Sequence, residues 1–255
     1  MLLGHNTKRN SSHEIMAAVI SIGAMDLAEL VPKTTGEGLF GYVNDLLAII
    51  GPATEEYRGK LSGISDSGIT AVFSESCEDA LMSSVTICQR IAGNTNEFFD
   101  FSDFTVGLSY GAVYTDQVGY GSFRVPLTIS ECTRTANKLQ TIAKRFSAHI
   151  LVTETAAAQI PDFFQKFNSR CLGSILKDEG DSQLIYDVFD GDPIEIKNSK
   201  RRSKLFFETG VKLFGEKKYD IARSYFIELI KTDRGDLAAK EFLYACDRNM
   251  NGVTQ

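Results

Sequence analysis

Residues 44–73, NDLLAIIGPATEEYRGKLSGISDSGITAVF, decide the fold, because they join the end of an amphipathic helix to a tight β-hairpin. Apolar residues recur at helical spacing through 35–50 and predict a helix that ends at Gly51-Pro52. Two short runs at 60–65 and 69–73 flank an Asp-Ser-Gly turn, which is typical of a hairpin. The stretch therefore predicts the order helix, strand, strand.

The segments on either side of this stretch complete a split βαβ pattern. A buried strand is predicted over 16–23, a helix over 78–97 and a strand over 104–113. The resulting order βαββαβ is that of ferredoxin-like α+β folds. A helix is predicted over 130–144 and a strand over 149–152, followed by a short helix that Thr153 caps. A closing hairpin is predicted from 172–176 and 184–188.

The end of the chain has a different, all-helical pattern. Its spacing of small and large apolar residues is typical of a tetratricopeptide-type helix pair, and 237–246 would add a third helix. A single repeat cannot bury its apolar surface, so it must pack on the first domain, on a partner chain or on itself. The basic cluster before it is interpreted as a solvated hinge and comprises Lys200, Arg201, Arg202 and Lys204. The chain is therefore divided into an N-terminal arm (1–14), a first domain (15–190), a linker (191–203) and a helical extension (204–249).

The composition restricts the class of protein. The 255 residues have a net charge of −6, which gives no general support for binding nucleic-acid phosphates. Five cysteines without a CxxC pair and only three histidines argue against a disulfide framework and a zinc site. The apolar run over 15–25 is shorter than the roughly 20 residues that span a bilayer. The sequence therefore predicts a cytoplasmic protein, or the cytoplasmic part of a longer membrane protein.

Two further motifs are VGLSYGAVYTDQVG at 106–119 and LTISECTRTANKLQTIAK at 127–144. They resemble, in that order, the patterns IGIHTGxVxxGxVG and TxIGDTVNLASRLExLAK of the class III adenylate and guanylate cyclase homology domain. Residues 44–73 resemble a third pattern of the same domain, NEYF…GG…KxIGDGxxAVF. The resemblance covers 15–190 and implies that two such domains pair head to tail, with active sites between them. The tail resembles the helical extension that follows this domain in bacterial members.

The metal site that this resemblance implies lacks its ligands. Cyclisation of a nucleoside triphosphate uses two metal ions, and the family holds them with two aspartates. This chain has Gly23 and Ser67 at those positions, and neither side chain is a good ligand for a hard cation. Asp26 and Asp66 are the nearest replacements, but Asp66 is one residue out of register, which in a strand turns its side chain to the opposite face. No cofactor is therefore expected, and Mg²⁺ or Mn²⁺ would bind only if the chain is active.

The positions that would contact the nucleotide are also changed. The resemblance implies that Gly63 and Leu127 replace the two base-reading side chains, and neither can read a base by hydrogen bonding. Arg134 replaces the asparagine that orients the ribose. Lys138 replaces the arginine that stabilises the transition state, and it keeps the charge without the bidentate fork. Glu131 replaces an aspartate and is interpreted as a solvated carboxylate at a helix start.

The energy of the missing groups decides the functional prediction. One preorganised charge-stabilising group is typically worth about 2.7–4 kcal/mol, so three or more losses imply a rate reduction on the order of 10⁵-fold. We therefore predict an inactive regulatory or scaffold domain that forms a homodimer, or a heterodimer with another cyclase-type domain, and that offers its helical extension to a protein partner. Two alternatives stay open. One is an active cyclase with Asp26 and Asp66 on the metal and Arg134 and Lys138 on the triphosphate, and the other is a sensor that binds nucleotide without turnover.

Overall fold

The computed structural model describes residues 13–24, 31–65, 68–94, 100–120, 123–174 and 183–252. Within these ranges the chain forms a mixed sheet of eight strands, helices on both of its faces, and a C-terminal group of three helices. The strands are β1 His13–Gly23, β2 Lys60–Ser65, β3 Gly68–Phe73, β4 Thr105–Tyr120, β5 Phe123–Ile129, β6 Ile150–Thr153, β7 Ser169–Cys171 and β8 Ile185–Val188. The helices are α1 Gly36–Glu56, α2 Cys77–Ala92, α3 Glu131–Ala143, α4 Glu154–Ala157, α5 Phe163–Lys166, α6 Ile194–Gly215, α7 Tyr219–Thr232 and α8 Leu237–Met250.

The sheet has the strand order β2-β3-β1-β4-β6-β8-β7, and β5 pairs with the far part of β4. β1 is central and antiparallel to both β3 and β4, whereas β4 and β6 are parallel. The ferredoxin-like βαββαβ core with additional C-terminal strands is therefore confirmed. Its first four strands lie in the order β2-β3-β1-β4, as expected when the two helices cross over the same face.

Both faces of β1 are buried from Ala17 to Gly23, which explains the nearly continuous apolar sequence of this part of the strand. Alternate residues Ala18, Ile20 and Ile22 contact the core formed with α1 and α2, and Ala17 and Val19 pack with α3 on the other face. The approach of α3 to β4 is close, since a Cβ on Gly107 would lie 2.1 Å from the carbonyl oxygen of Ala136. Only glycine fits there without moving the helix.

The three C-terminal helices pack on one another and on the sheet domain. Phe207, Phe226 and Phe242, one from each helix, share a buried cluster with Leu139 of α3 and Leu151 of β6. Of the arrangements left open by the sequence, the structure therefore has the helical extension packed both on itself and on the first domain. Its tetratricopeptide-like character stays a prediction. Among the helices in the described ranges, none is both long and apolar enough to cross a bilayer.

Most of the predicted linker, residues 191–203, is helical, because α6 begins at Ile194 and continues into the helical extension. Lys200 of the basic cluster is 5 % exposed, so its interpretation as part of a solvated hinge is wrong. Its ammonium group lies 3.0 Å from a carboxylate oxygen of Asp187 and 2.8 Å from one of Asp192. Oδ1 of Asp192 also accepts a hydrogen bond at 2.8 Å from Nδ1 of the buried His149. Lys200 is thus held inside the molecule by carboxylates from the sheet and from the turn that follows it.

Several element boundaries also differ from the prediction. α1 continues through Pro52 to Glu56, because burial of Ala53 and Thr54 against the core outweighs the one backbone hydrogen bond that proline cannot make. α2 ends at Ala92, and residues 95–99 lie outside the described ranges. β4 is longer than predicted and forms an unpredicted hairpin with β5. The closing hairpin begins earlier than predicted, because β8 pairs with residues 169–171, and its hydrogen bonds continue from Ile185 to Leu172 and Gly173. Residues 175 and 176 of the predicted strand lie outside the described ranges.

Candidate functional site

The candidate site begins at the end of β1, where Gly23 pairs with Thr105 of β4. The side chain of Gln140 reaches this point from α3, and its Nε2 donates a hydrogen bond to the Thr105 hydroxyl at 3.2 Å. A Cβ on Gly23 would lie 1.7 Å from that Nε2 atom. The space that an aspartate side chain would need at residue 23 is therefore filled by the amide of Gln140.

Gly68, the first residue of β3, meets the same place. Gly68 has a φ of +150°, and a Cβ on it would lie 2.2 Å from the carbonyl oxygen of Ile22 and 3.4 Å from Cα of Gly23. The hairpin therefore approaches the end of β1 backbone to backbone, which only glycine permits. Ser67 and the two replacement candidates Asp26 and Asp66 lie outside the described residues, so their roles stay predictions.

Gly63 lies on β2, at the position assigned to base reading by the resemblance. It is exposed and follows an irregularity in the pairing of β2 with β3. The neighbouring groups are hydroxyls: Thr70 Oγ1 lies 3.1 Å from Ser62 Oγ and donates to the Gly63 carbonyl at 3.4 Å. This surface offers short neutral groups and no long side chain at residue 63. Leu127 lies on β5, opposite Asp116 of β4.

The two basic candidates lie on α3. Arg134 is exposed and forms an ion pair with the exposed Glu131 one turn earlier, so part of its charge is balanced within its own helix. Lys138 follows one turn after Arg134 and is half-buried. At 3.6 residues per turn, Gln140 is about 120° around the helix from Arg134 and about 160° from Lys138. Within one chain, Gly23 therefore meets a different side of α3 from the sides that present Arg134 and Lys138.

The described groups at this site do not fit a pair of hard divalent cations. Mg²⁺ is bound through carboxylates and phosphate oxygens, whereas Gly23 is surrounded by an amide, a threonine hydroxyl and main chain. Across the described part of the chain, no group of three or more His, Cys, Asp or Glu side chains is arranged to hold a metal ion. The arrangement can accept and donate neutral hydrogen bonds, and it supplies no anionic ligand at residue 23.

Sequence reasoning missed Gln140, which is the side chain in contact with the Gly23 position. A glycine at the end of an apolar strand is the available signal, because it indicates a close approach by another group. The sequence does not show which group approaches. Glu131 is exposed in the first turn of α3 and forms an ion pair with Arg134 that the sequence did not predict, and its role stays a prediction.

Comparison with known proteins agrees with this fold. No family model matches the chain. The chain is similar to a terminal-differentiation specific adenylate cyclase of Dictyostelium discoideum, with 21 % identity over 236 residues, which is 88 % of this chain and 11 % of that protein. The chain thus spans about a tenth of this relative's length.

Solved structures give the same result. A bacterial light-regulated adenylyl cyclase aligns with a TM-score of 0.62 and 15 % identity, over 75 % of this chain and 57 % of its own. The non-canonical dimeric guanylyl cyclase domain of a fusion protein from Blastocladiella emersonii aligns with a TM-score of 0.55 and 14 % identity, over 69 % of this chain and 98 % of its own. The chain therefore has the fold of nucleotide cyclase catalytic domains. More specifically, it has the class III adenylyl and guanylyl cyclase fold that the sequence motifs predicted.

Proposed function

We propose that this chain is a catalytically inactive cyclase-fold domain that acts as a dimerising regulatory or scaffold module. The observation that supports this most strongly is the glycine at residue 23, whose side-chain space is filled by the Gln140 amide. A metal-dependent cyclase needs an anionic ligand at that point, because two divalent cations must be held beside a polyanionic substrate. A neutral amide that donates to Thr105 provides no such ligand.

The changes around the nucleotide positions support the same proposal. The ion pair with Glu131 reduces the charge that Arg134 could offer to a triphosphate. Gly63 has no side chain to select a base, and the hydroxyls of Ser62 and Thr70 beside it already contact each other. Charge stabilisation and base recognition are therefore weakened together with metal binding, which is the pattern expected of a domain retained for its fold.

An exposed apolar stripe supports the dimerising part of the proposal. The stripe comprises Met16, Tyr114, Val118, Tyr120 and Ile129. They lie on the same face of β1, β4 and β5, because Met16 is opposite Ala112, Tyr114 is opposite Ile129, and side chains alternate along a strand. The most exposed are Tyr120, at 92 %, and Ile129, at 61 %. Asp116 lies on the same face between Tyr114 and Val118, so the apolar side chains have a charged neighbour. Several large apolar side chains exposed on one sheet face are typical of a protein interface. Since the resembled domains pair, we assign the stripe to a second cyclase-type domain, either another copy of this chain or a different chain.

The dimerisation half of the proposal is tested by multi-angle light scattering during size-exclusion chromatography. We expect a dimer for the unaltered chain and a monomer for Ile129→Asp, which places a charge in the middle of the stripe. Leu205→Asp is the matched control. Leu205, like Ile129, is an exposed branched aliphatic side chain, but it lies on α6 of the helical extension. A monomeric unaltered chain that also captures no cyclase-type partner would refute the proposal, and so would a dimer that Ile129→Asp leaves intact.

A further inference from the structure

A pocket on another part of the domain has no role in the proposed function. It lies between α4, α5 and β8 and has a volume of about 450 Å³. That volume is within the range of about 300–1,000 Å³ found for small-molecule sites. The residues that decide its chemistry are Glu154, Ile160, Asp162, Phe163, Phe164 and Tyr186.

Three aromatic rings form one side of this pocket. The ring centroids of Phe164 and Tyr186 are 5.3 Å apart at an interplanar angle of 77°, and those of Phe163 and Phe164 are 5.1 Å apart at 79°. Phe163 and Tyr186 are buried and therefore held in place by the core, while Phe164 is 61 % exposed. In edge-to-face packing the positive edge of one ring lies on the negative face of its neighbour, so a cation needs a face that the packing leaves uncovered. Phe164, the exposed ring of the three, is the one whose surface solvent reaches.

The charged groups that line the pocket are both acidic. Glu154 and Asp162 contribute carboxylates, and no lysine or arginine is among the lining residues in the described part of the chain. Lys166, in the next turn after Asp162, is held away by Glu78 of α2, with Nζ 2.9 Å from both carboxylate oxygens. Burial is the largest of the effects that raise the pKa of Tyr186 to about 12, and nearby Cys171 and Glu154 contribute to that rise, so the phenol stays neutral. The pocket therefore has a negative potential.

The two carboxylates are in different states. One oxygen of Glu154 accepts a hydrogen bond from the backbone N–H of Leu184 at 3.1 Å, which fixes its position at the edge of the pocket. Asp162 has a left-handed backbone, with a φ of +56°, and its carboxylate has no hydrogen-bond or ion-pair partner among the described residues. An exposed, unpaired carboxylate beside aromatic rings is available to a cationic ligand.

We propose that this pocket binds an organic ammonium ion that carries alkyl groups, such as a trimethylammonium head group. Aromatic faces attract a cation, and they are matched best by one whose charge is covered by methyl groups, because such a cation loses little hydration on contact. A bare divalent metal ion requires converging oxygen ligands, which three aromatic rings do not supply. The head group could belong to a free small molecule or to a methylated lysine side chain, and the chemistry of recognition is the same for both. This inference is independent of whether the domain is active or inactive.

The test is isothermal titration of the full chain with choline and with 3,3-dimethylbutan-1-ol, which replaces the ammonium nitrogen of choline by carbon. We expect choline to bind at least about fivefold more tightly than this neutral isostere, as cation–π and carboxylate contacts require. A short peptide with trimethyl-lysine is titrated in parallel, and whichever of the two cations binds more tightly identifies the source of the head group. Equal binding of choline and its isostere, or no binding of either cation, would overturn the proposal.

Two variants locate the binding site. Phe164→Leu keeps an apolar side chain but removes the π face, and Asp162→Asn removes the unpaired charge, so each should weaken choline binding by about two- to fivefold. Both residues are exposed, so the fold should be retained. Phe40→Leu is the matched control, because Phe40 is an exposed phenylalanine on α1, outside the pocket lining. If Phe164→Leu binds choline as tightly as Phe40→Leu and the unaltered chain do, the pocket is not the binding site.

Discussion

Replacing Arg170 by methionine should destabilise the protein strongly, because Arg170 links the sheet to the helical extension from a buried position. The residue lies on β7 and is 1 % exposed. Its Nε donates to Asp187 at 2.9 Å, and its terminal nitrogens donate to the two carboxylate oxygens of Asp236 at 2.7 and 3.3 Å. Its guanidinium group also lies 4.4 Å from the ring centroid of Phe207. The substitution keeps the apolar volume and removes only the charge and its hydrogen bonds.

The expected magnitude follows from what each partner retains. Asp187 still has the ammonium group of Lys200 at 3.0 Å, so it remains paired. Among the described residues, Asp236 then keeps the hydrogen bond from the backbone N–H of Ala239 at 3.1 Å, and Lys200 acts on it only from a distance. It becomes a buried carboxylate without a cation in contact. Removing one partner of a buried ion pair typically costs about 3–5 kcal/mol. Because only one of the two carboxylates loses its cation, we expect Arg170→Met to lower the free energy of unfolding by about 3 kcal/mol.

The assay is urea denaturation at neutral pH, with Arg145→Met as the control. Arg145 also links the sheet domain to α8, through Glu241 at 2.9 Å, but it is 60 % exposed. Pairs that solvent reaches to this extent contribute about 0–1 kcal/mol, so the control should change the free energy of unfolding by less than 1 kcal/mol. Equal losses in the two variants, or a loss below about 1 kcal/mol for Arg170→Met, would refute the reasoning from burial.

Three further predictions concern pH, packing and thiol reactivity. Burial by itself raises the pKa of Asp236, but the charge and hydrogen bonds of Arg170 outweigh burial and leave that pKa below its ordinary value. Its stabilising contribution is therefore complete above about pH 4 and is lost as the pH falls through the lowered value, so the urea midpoint should drop in acid, and less so in Asp236→Asn. Gly107→Ala should lower the free energy of thermal unfolding by about 1–3 kcal/mol, because the new methyl group overpacks α3 against β4. Gly41→Ala is its control on α1: no atom lies within 4 Å of the new Cβ, so the free energy of unfolding should rise by about 0.5–1 kcal/mol. Burial raises the pKa of Cys77 to about 12, so an alkylating reagent at pH 8 should modify Cys77 far more slowly in the native chain than in the urea-unfolded chain; equal rates would contradict this.

The fold could be predicted where local patterns decide it. The β2–β3 hairpin follows from its turn residues, and β1 follows from a short apolar run that ends at Gly23. Pro52 shows the limit of local rules. The proline predicted a helix end, but the burial of the following residues in the core continues the helix to Glu56. A sequence pattern contains no measure of that tertiary contribution.

Pairings between distant residues could not be predicted. Lys200 was interpreted as solvated because it lies in a basic cluster, yet it pairs with Asp187 and Asp192 from other elements. The signal in the sequence is Asp187 itself, a charge between Tyr186 and Val188 in a predicted strand, because such a charge requires a partner if the strand is buried. Nothing in the sequence shows which cationic side chain is the partner of Asp187. The same limit applies at the candidate site, where Gly23 was identified as a missing ligand and Gln140 as its neighbour was not.

Cyclic-nucleotide production by the purified chain is the most direct test of the proposed loss of catalysis. The chain is incubated with ATP or with GTP in the presence of Mn²⁺, and the cyclic products are quantified by mass spectrometry against a heat-denatured sample. We predict no product above that blank, because residue 23 supplies no anionic ligand and its space is filled by a neutral amide. A cyclic product that increases in proportion to the amount of chain, and that Asp66→Ala abolishes, would contradict the account.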